Sequence, residues 1–529
     1  MSSASLASVA TSALGFPVEV TAVSRESAVS ILEHQLDPSE ASLVLDLLKV
    51  QTSSNVCSNW PTTAVQNITG RNATDIAQFF RENAASFRPN TTEVAPTTTA
   101  GDLDAALLEL LEATGLGAIV RNNSLGFWVS VRTPTDSINA ALGYSSAPQF
   151  VNPNSTVPPT PAETTDIVPA GSLTKSFTAA AIMRLVEAGE IGINDTALPL
   201  ANKALQNWGE TYTLEDLYPP QLANATIKQL LAMETGIMEY YDPAVEAETD
   251  NDPLHDITPQ EYLTNLTLNP NREKWRCGND TTCDPPMYCS MGYLMLTLVL
   301  AGHTGVASWE TMDQRSLAIP PEVVADPNRS YNDSLLFFKT GPCSAYPRVA
   351  HYYDYRSPGW EDLYDASCLN GWGFGNVGAS AAVAADFFFD LVGRDPRIVD
   401  GLTALQMQQW GGVLMNHHTE RYGLGLMYLP LSRYGLLNDS APGAEPYSFG
   451  VGHNGCDYGT YTHNIYLPSL NAGISMMMSR DELLMDNGTA IPGSGEELFC
   501  LGYKAIFHLL MGNNTGDFDI DTAFVCSQQ

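Results

Sequence analysis

Gly171-Ser172-Leu173-Thr174-Lys175-Ser176-Phe177-Thr178-Ala179-Ala180-Ala181-Ile182-Met183-Arg184-Leu185-Val186 is the stretch on which the reading of this chain turns. Phe177, Ala181, Met183, Leu185 and Val186 fall at helical spacing, which predicts a long amphipathic helix opening just after Gly171. On such a helix Ser172 and Lys175, three residues apart, share a face. An amine placed there accepts or relays the proton that a serine hydroxyl loses before it attacks a carbonyl. The helix N-terminus favours the negative charge that develops. A capped helix start with a solvated lysine would leave the same four letters, so the pattern needs company.

Company stands downstream. In Asp284-Pro285-Pro286-Met287-Tyr288-Cys289-Ser290-Met291-Gly292-Tyr293 a proline-fixed loop runs into an apolar stretch. Tyr288 and Ser290 are two apart, so in extended backbone they face the same way. A phenol there trades protons with Ser172 while Lys175 stabilises its phenolate form. Two surface residues at a helix start are the bland alternative. The third element is Gly450-Val451-Gly452-His453-Asn454-Gly455-Cys456, leading into a strand over 458–468. A glycine-flanked edge strand lets a substrate backbone pair with it. The Cys456 amide, with that of Ser172, is the expected oxyanion hole. Lys339-Thr340-Gly341 competes for this place, but Pro342 behind it has no N–H to give.

In the order Ser-x-x-Lys, Tyr-x-Ser, His-x-Gly, these elements resemble the serine β-lactamase-related superfamily. The nearest groups are the D-alanyl-D-alanine carboxypeptidases of the penicillin-binding protein type, class C β-lactamases and class C-like esterases. The resemblance covers about 103–511 and includes lesser echoes at 226–237, 375–391 and 422–426. It implies an α+β fold in which an antiparallel sheet flanked by helices packs on a mostly helical lobe, with the site between them. It also implies acylation of Ser172 and deacylation by water, with Lys175 and Tyr288 managing protons and Ser290, His453, Asn454 and Gly455 binding substrate. No metal or organic cofactor is implied. Two departures matter: Ser290 stands where many relatives have Asn, and His453 replaces the Lys of true β-lactamases. A neutral imidazole anchors a substrate carboxylate poorly, which argues against efficient penicillin hydrolysis and predicts activity that titrates with His453.

The rest of the chain sets the frame. Its 529 residues suffice for a large core, and 59 Asp plus Glu against 25 Lys plus Arg give a net charge of −34. Such a chain repels phosphate backbones and anionic lipid, so nucleic acid and polybasic membrane attachment are excluded as partners. The apolar run 291–301 is too short to span a bilayer and reads as a buried core helix. Acceptor triplets begin at Asn67, Asn72, Asn90, Asn122, Asn154, Asn194, Asn224, Asn265, Asn279, Asn328, Asn332, Asn438, Asn487 and Asn513, which argues for a glycosylated, secreted protein, although residues 1–21 make a poor leader. Nine cysteines suit an oxidising compartment and leave at least one unpaired. The local pairs expected are Cys277 with Cys283, Cys343 with Cys368, and Cys500 with Cys526. Cys289 and Cys456 read as buried or disulfide-bonded, and His417, His418 and Glu420 as surface polarity rather than a metal cluster.

Three parts are expected: an N-terminal extension over 1–100 with helical periodicity over 27–50, a hydrolase domain over 101–515 whose helical lobe is about 201–421, and a tail over 516–529. Within the domain the patterning predicts helices over 103–113 and 496–511 and strands over 116–120, 126–131, 458–468 and 473–479. Three functions fit: an acyl-enzyme hydrolase of amide or ester bonds acting on a small-molecule or peptide substrate, a carboxylesterase or transesterase on the same machinery, and a scaffold that keeps the pocket without turnover. The oligomeric state is left open.

Overall fold

The computed structural model describes residues 100–356, 359–415, 421–480, 483–484, 490–491, 495–512 and 518–526. The expected extension over 1–100, Cys57, His417, His418, Glu420 and the acceptors Asn67, Asn72, Asn90, Asn487 and Asn513 lie outside the described residues.

Fourteen strands are used below. β1 (Gly126–Arg132), β2 (Ser137–Ser146) and β3 (Thr160–Pro161) open the domain. β4 (Val168–Pro169), β5 (Leu335–Phe337), β6 (Tyr353–Arg356), β7 (Gly359–Asp362) and β8 (Val377–Ala379) are short. β9 (Arg421–Tyr422), β10 (Met427–Pro430), β11 (Phe449–Gly452), β12 (Gly455–Asp457), β13 (Thr460–Leu467) and β14 (Ala472–Met478) complete them. The main sheet is antiparallel in the order β3-β2-β1-β14-β13-β11-β10-β9, with β12 paired to β13 beside that path. The earliest long strand therefore lies against the last one, with Val129 opposite Met476 and Val131 opposite Ile474.

Helices cover both faces of this sheet. α1 (Ala100–Ala113) and α6 (Gly495–Met511) pack on one face, and α5 (Ala381–Val392) packs on the other. Every residue of β1 and β14 is buried as a result, which is why their sequences read as largely apolar runs, interrupted by Ser130, Arg132 and Ser475. The other lobe is built on α3 (Leu198–Asn207) against α4 (Ser290–Thr304), with α2 (Thr174–Glu187) lying between the lobes and touching α4. Residues 290 to 302 of α4 are buried on all sides, as the core-helix reading of 291–301 expected. The architecture is the α+β fold expected, an antiparallel sheet with helices and a helix-rich lobe. The stretch 201–421 also contributes β5 through β8, in a three-stranded sheet β4-β8-β5 and the hairpin β6-β7.

Two segments differ from expectation. The strand expected over 116–120 is helix Leu116–Asn122, with Leu116 and Val120, one turn apart, both buried. Five apolar residues are too few for periodicity to separate the two structures. The expected tail is packed: Phe518, Ile520, Ala523 and Phe524 are buried, and Phe524 lies 4.8 Å from the Phe507 ring of α6. The three disulfides join the pairs the spacing suggested, Cys277–Cys283, Cys343–Cys368 and Cys500–Cys526. No helix among the described residues is long and apolar enough to cross a membrane.

Candidate active site

The turn that carries Ser172 is held from three sides before α2 begins. Ala170 N–H donates to Val377 O of β8 at 2.8 Å, and the Thr174 hydroxyl donates to Gly171 O at 2.7 Å while accepting from Val377 N–H at 2.8 Å. From the main sheet the Thr460 hydroxyl donates to Pro169 O at 2.6 Å. Gly171 has a φ of 48°, and a Cβ there would lie 2.2 Å from Cys456 O. A Cβ on Gly455 would lie 1.9 Å from Ala170 O. Only glycine at both positions lets β12 run backbone to backbone against the turn, which brings the Cys456 main chain beside Ser172.

Lys175 is fully buried, with Nζ 2.8 Å from Ser172 Oγ and 3.2 Å from Phe374 O. Its ammonium would sit 4.7 Å from the centre of the Tyr288 ring and 5.5 Å from that of Phe374. Burial pushes the group down from 10.5 to about 7, opposed by the Glu239 carboxylate. A lysine in this state is a base at neutral pH. Phe374 O is held at Lys175 by a braced loop: Asn376 accepts from Gly373 N–H at 3.0 Å and donates to Phe338 O at 2.9 Å. The Tyr288 phenol hydrogen-bonds Ser172, and burial raises it well above its ordinary value. The phenolate expected for Tyr288 is thus disfavoured.

These side chains open on a cavity of about 450 Å³ lined by Ser172, Tyr288, Ser290 and Cys456 among others. Cys289 between Tyr288 and Ser290 is extended, with φ −149° and ψ 109°, which aims its two neighbours the same way. The Cys289 thiol is buried and donates to Ile237 O at 3.4 Å. Cys456 departs from the expectation of a buried cysteine: it is exposed. The reason is strand alternation, since Gly455 and Asp457 point inward and Cys456 outward.

His453, Asn454 and Gly455 are not brought to the cavity wall. His453 is fully buried, with Nδ1 2.6 Å from Asn454 O and Nε2 2.9 Å from Tyr422 Oη. The carbonyl, which only accepts, requires a proton on Nδ1. Its ring centre lies 6.1 Å from that of Tyr288, and the Tyr422 ring stands edge-on to Tyr288 at 6.2 Å. The imidazole expected to hold substrate packs instead behind the phenol, because β11 ends with His453 turned into the core. Lys339-Thr340-Gly341 is engaged elsewhere, with Gly341 N–H donating to Asp256 at 3.0 Å.

Sequence reasoning missed Glu239. Its carboxylate lines the cavity, accepts the N–H of Ser290 and that of Tyr240, and is pushed up to about 7 by burial, opposed by Lys175. Asp242, Glu246 and Asp354 join it in the lining, where no Lys, Arg or His appears among the described residues. The available signal was a carboxylate two residues past the apolar 226–237 echo.

The fold has counterparts. D-amino acid amidase from Ochrobactrum anthropi SV3, complexed with L-phenylalanine amide, superposes with a TM-score of 0.53 at 16% identity, covering 77% of this chain and 98% of that one. The same enzyme complexed with D-phenylalanine gives 0.53 at 17% identity over 77% and 99%. A D-stereospecific amidohydrolase from Streptomyces sp. gives 0.50 at 16% identity over 71% and 94%. No curated protein sequence matches the chain. The family model described as Beta-lactamase matches residues 139–492, which span the Tyr288 and His453 motifs as well as Ser172 and Lys175. The chain therefore belongs to the beta-lactamase family of serine hydrolases.

Proposed function

We propose that this protein hydrolyses an amide bond through an acyl-enzyme on Ser172, and that its substrate carries a cationic amine. The observation that carries the reading is the contact of Ser172 Oγ with a buried Lys175 Nζ at 2.8 Å, in a cavity whose charged lining is entirely acidic. Lys175 takes the Ser172 proton as Oγ bonds to the carbonyl carbon. The amides of Ser172 and Cys456 receive the oxyanion. The proton passes through Tyr288 to the leaving nitrogen as the C–N bond breaks, and water then reverses the sequence to release the acid. Glu239, Asp242 and Glu246, beside an Asp354 that is ion-paired to Arg356 at 2.9 Å, attract an ammonium and repel a carboxylate, so penicillins are expected to be poor substrates. A D-amino acid amide, the class named for the amidases of the same fold, carries such an ammonium. Exposed acceptors such as Asn154, Asn194 and Asn279, with the three disulfides, support export to an oxidising compartment.

A second reading, a carboxylesterase, draws on Ser290, whose short side chain replaces an amide that would hold an acyl-amide carbonyl. Fluorophosphonate labelling, with Ser172→Ala as the control, tests the nucleophile. Rates on D-alanine p-nitroanilide, p-nitrophenyl acetate and nitrocefin then separate the readings. Labelling that persists in Ser172→Ala, or none in the wild type, overturns the hydrolase assignment; turnover of the acetate alone transfers the site to the esterase reading.

A further inference from the structure

We infer that Asn370 is a substrate-binding residue of this site, its amide oxygen accepting a hydrogen bond from an N–H of the substrate's acyl portion, and that Asp457 positions it. This rests on the hydrolase reading above. Asn370 lines the same cavity as Ser172, Tyr288 and Glu239. Its Nδ2 donates to Oδ1 of Asp457, a buried residue. Burial raises Asp457 to about 7; once ionised its carboxylate only accepts, so this bond then decides which branch of the amide is nitrogen and fixes the plane of the group. Among the described residues Asn370 Oδ1 makes no hydrogen bond, yet it is not one of the buried polar atoms lacking a partner, so it keeps some exposure, and the residue lines the cavity that holds Ser172.

The support behind Asn370 is rigid. Its N–H donates to Cys368 O at 3.2 Å, and Cys368 is bridged to Cys343. Asp457 follows Cys456 on β12, so the strand that offers an oxyanion donor also carries the carboxylate that orients Asn370. Asp457 and Asn370 both also line a separate small cavity of about 30 Å³. Withdrawal of one N–H by a carboxylate strengthens the amide oxygen as an acceptor. An acceptor at this wall reads an ammonium or an amide N–H, the groups that the acidic lining draws in.

The test compares wild type, Asn370→Ala and Asp457→Asn on D-alanine p-nitroanilide, whose acyl portion has an ammonium, and on p-nitrophenyl acetate, whose acyl portion has no N–H. Equal fluorophosphonate labelling of all three shows that the fold and nucleophile are intact. The expected result for Asn370→Ala is a roughly 10- to 100-fold fall in kcat/KM on the anilide, with the acetate within about twofold. Asp457→Asn keeps the shape but lets the amide reverse, and is expected to show a smaller, equally selective fall. Equal falls on both substrates, no change on either, or a wild type that hydrolyses only the acetate overturn the assignment. Absence of labelling in the wild type overturns the hydrolase reading instead.

Discussion

Replacing Lys175 by Met should make the protein more stable while removing its activity. The folded state holds this lysine near 7 instead of 10.5. At roughly 1.4 kcal/mol per unit, burying it costs the folded state on the order of 5 kcal/mol at neutral pH. The sign follows from proton counting. Between about pH 7 and 10.5 the unfolded chain keeps a proton on Lys175 that the folded chain has released, so stability rises with pH across that window. Met fills the same space without the charge. It also deprives Glu239 of the cation that lowers it, which offsets part of the gain and leaves about 2 kcal/mol. The acylation rate, stripped of its base, should fall about 10³-fold. Urea denaturation followed by circular dichroism at pH 7 and pH 10 measures the first effect, and p-nitrophenyl acetate turnover the second. The variant should lead at pH 7 and lose its lead at pH 10. A variant no more stable than wild type at pH 7, or a lead that does not change with pH, would refute the idea that burial holds Lys175 neutral.

Glu239→Gln removes the carboxylate that favours the Lys175 ammonium, so the acid limb of kcat/KM, which rises with pH as Lys175 loses its proton, should move down by about one unit. A pH–rate profile checks this, and an unmoved limb separates the two groups. Gly455→Ala places a Cβ 1.9 Å from Ala170 O, so β12 has to leave the Ser172 turn; fluorophosphonate labelling should slow about 100-fold. Labelling at the wild-type rate would remove Cys456 from the oxyanion hole. Tyr422→Phe leaves His453 Nε2 without its 2.9 Å partner behind Tyr288, at a cost of about 1–3 kcal/mol in denaturation. No loss there would mean that the buried ring is satisfied by other means.

The chemistry proposed for Ser172, Lys175 and Tyr288 was legible because it rests on local spacing. Three residues on a helix and two along an extended loop fix which side chains share a face, whatever the rest of the chain does. The apolar runs of β1, β14 and α4 were legible for a similar reason, since residues buried on every side show it in composition. The tertiary structure alone decided the places of His453, Glu239 and Asn370. His453 belongs to a motif, but whether β11 ends with its ring toward the cavity or toward Tyr422 depends on how that strand sits over α5. Glu239 and Asn370 reach Ser172 from separate loops, and no periodicity records contacts made across such separations. Charge at the cavity wall is likewise a sum over residues that only folding collects, so the proposed cationic substrate came into view once Glu239, Asp242, Glu246 and Asp354 stood together.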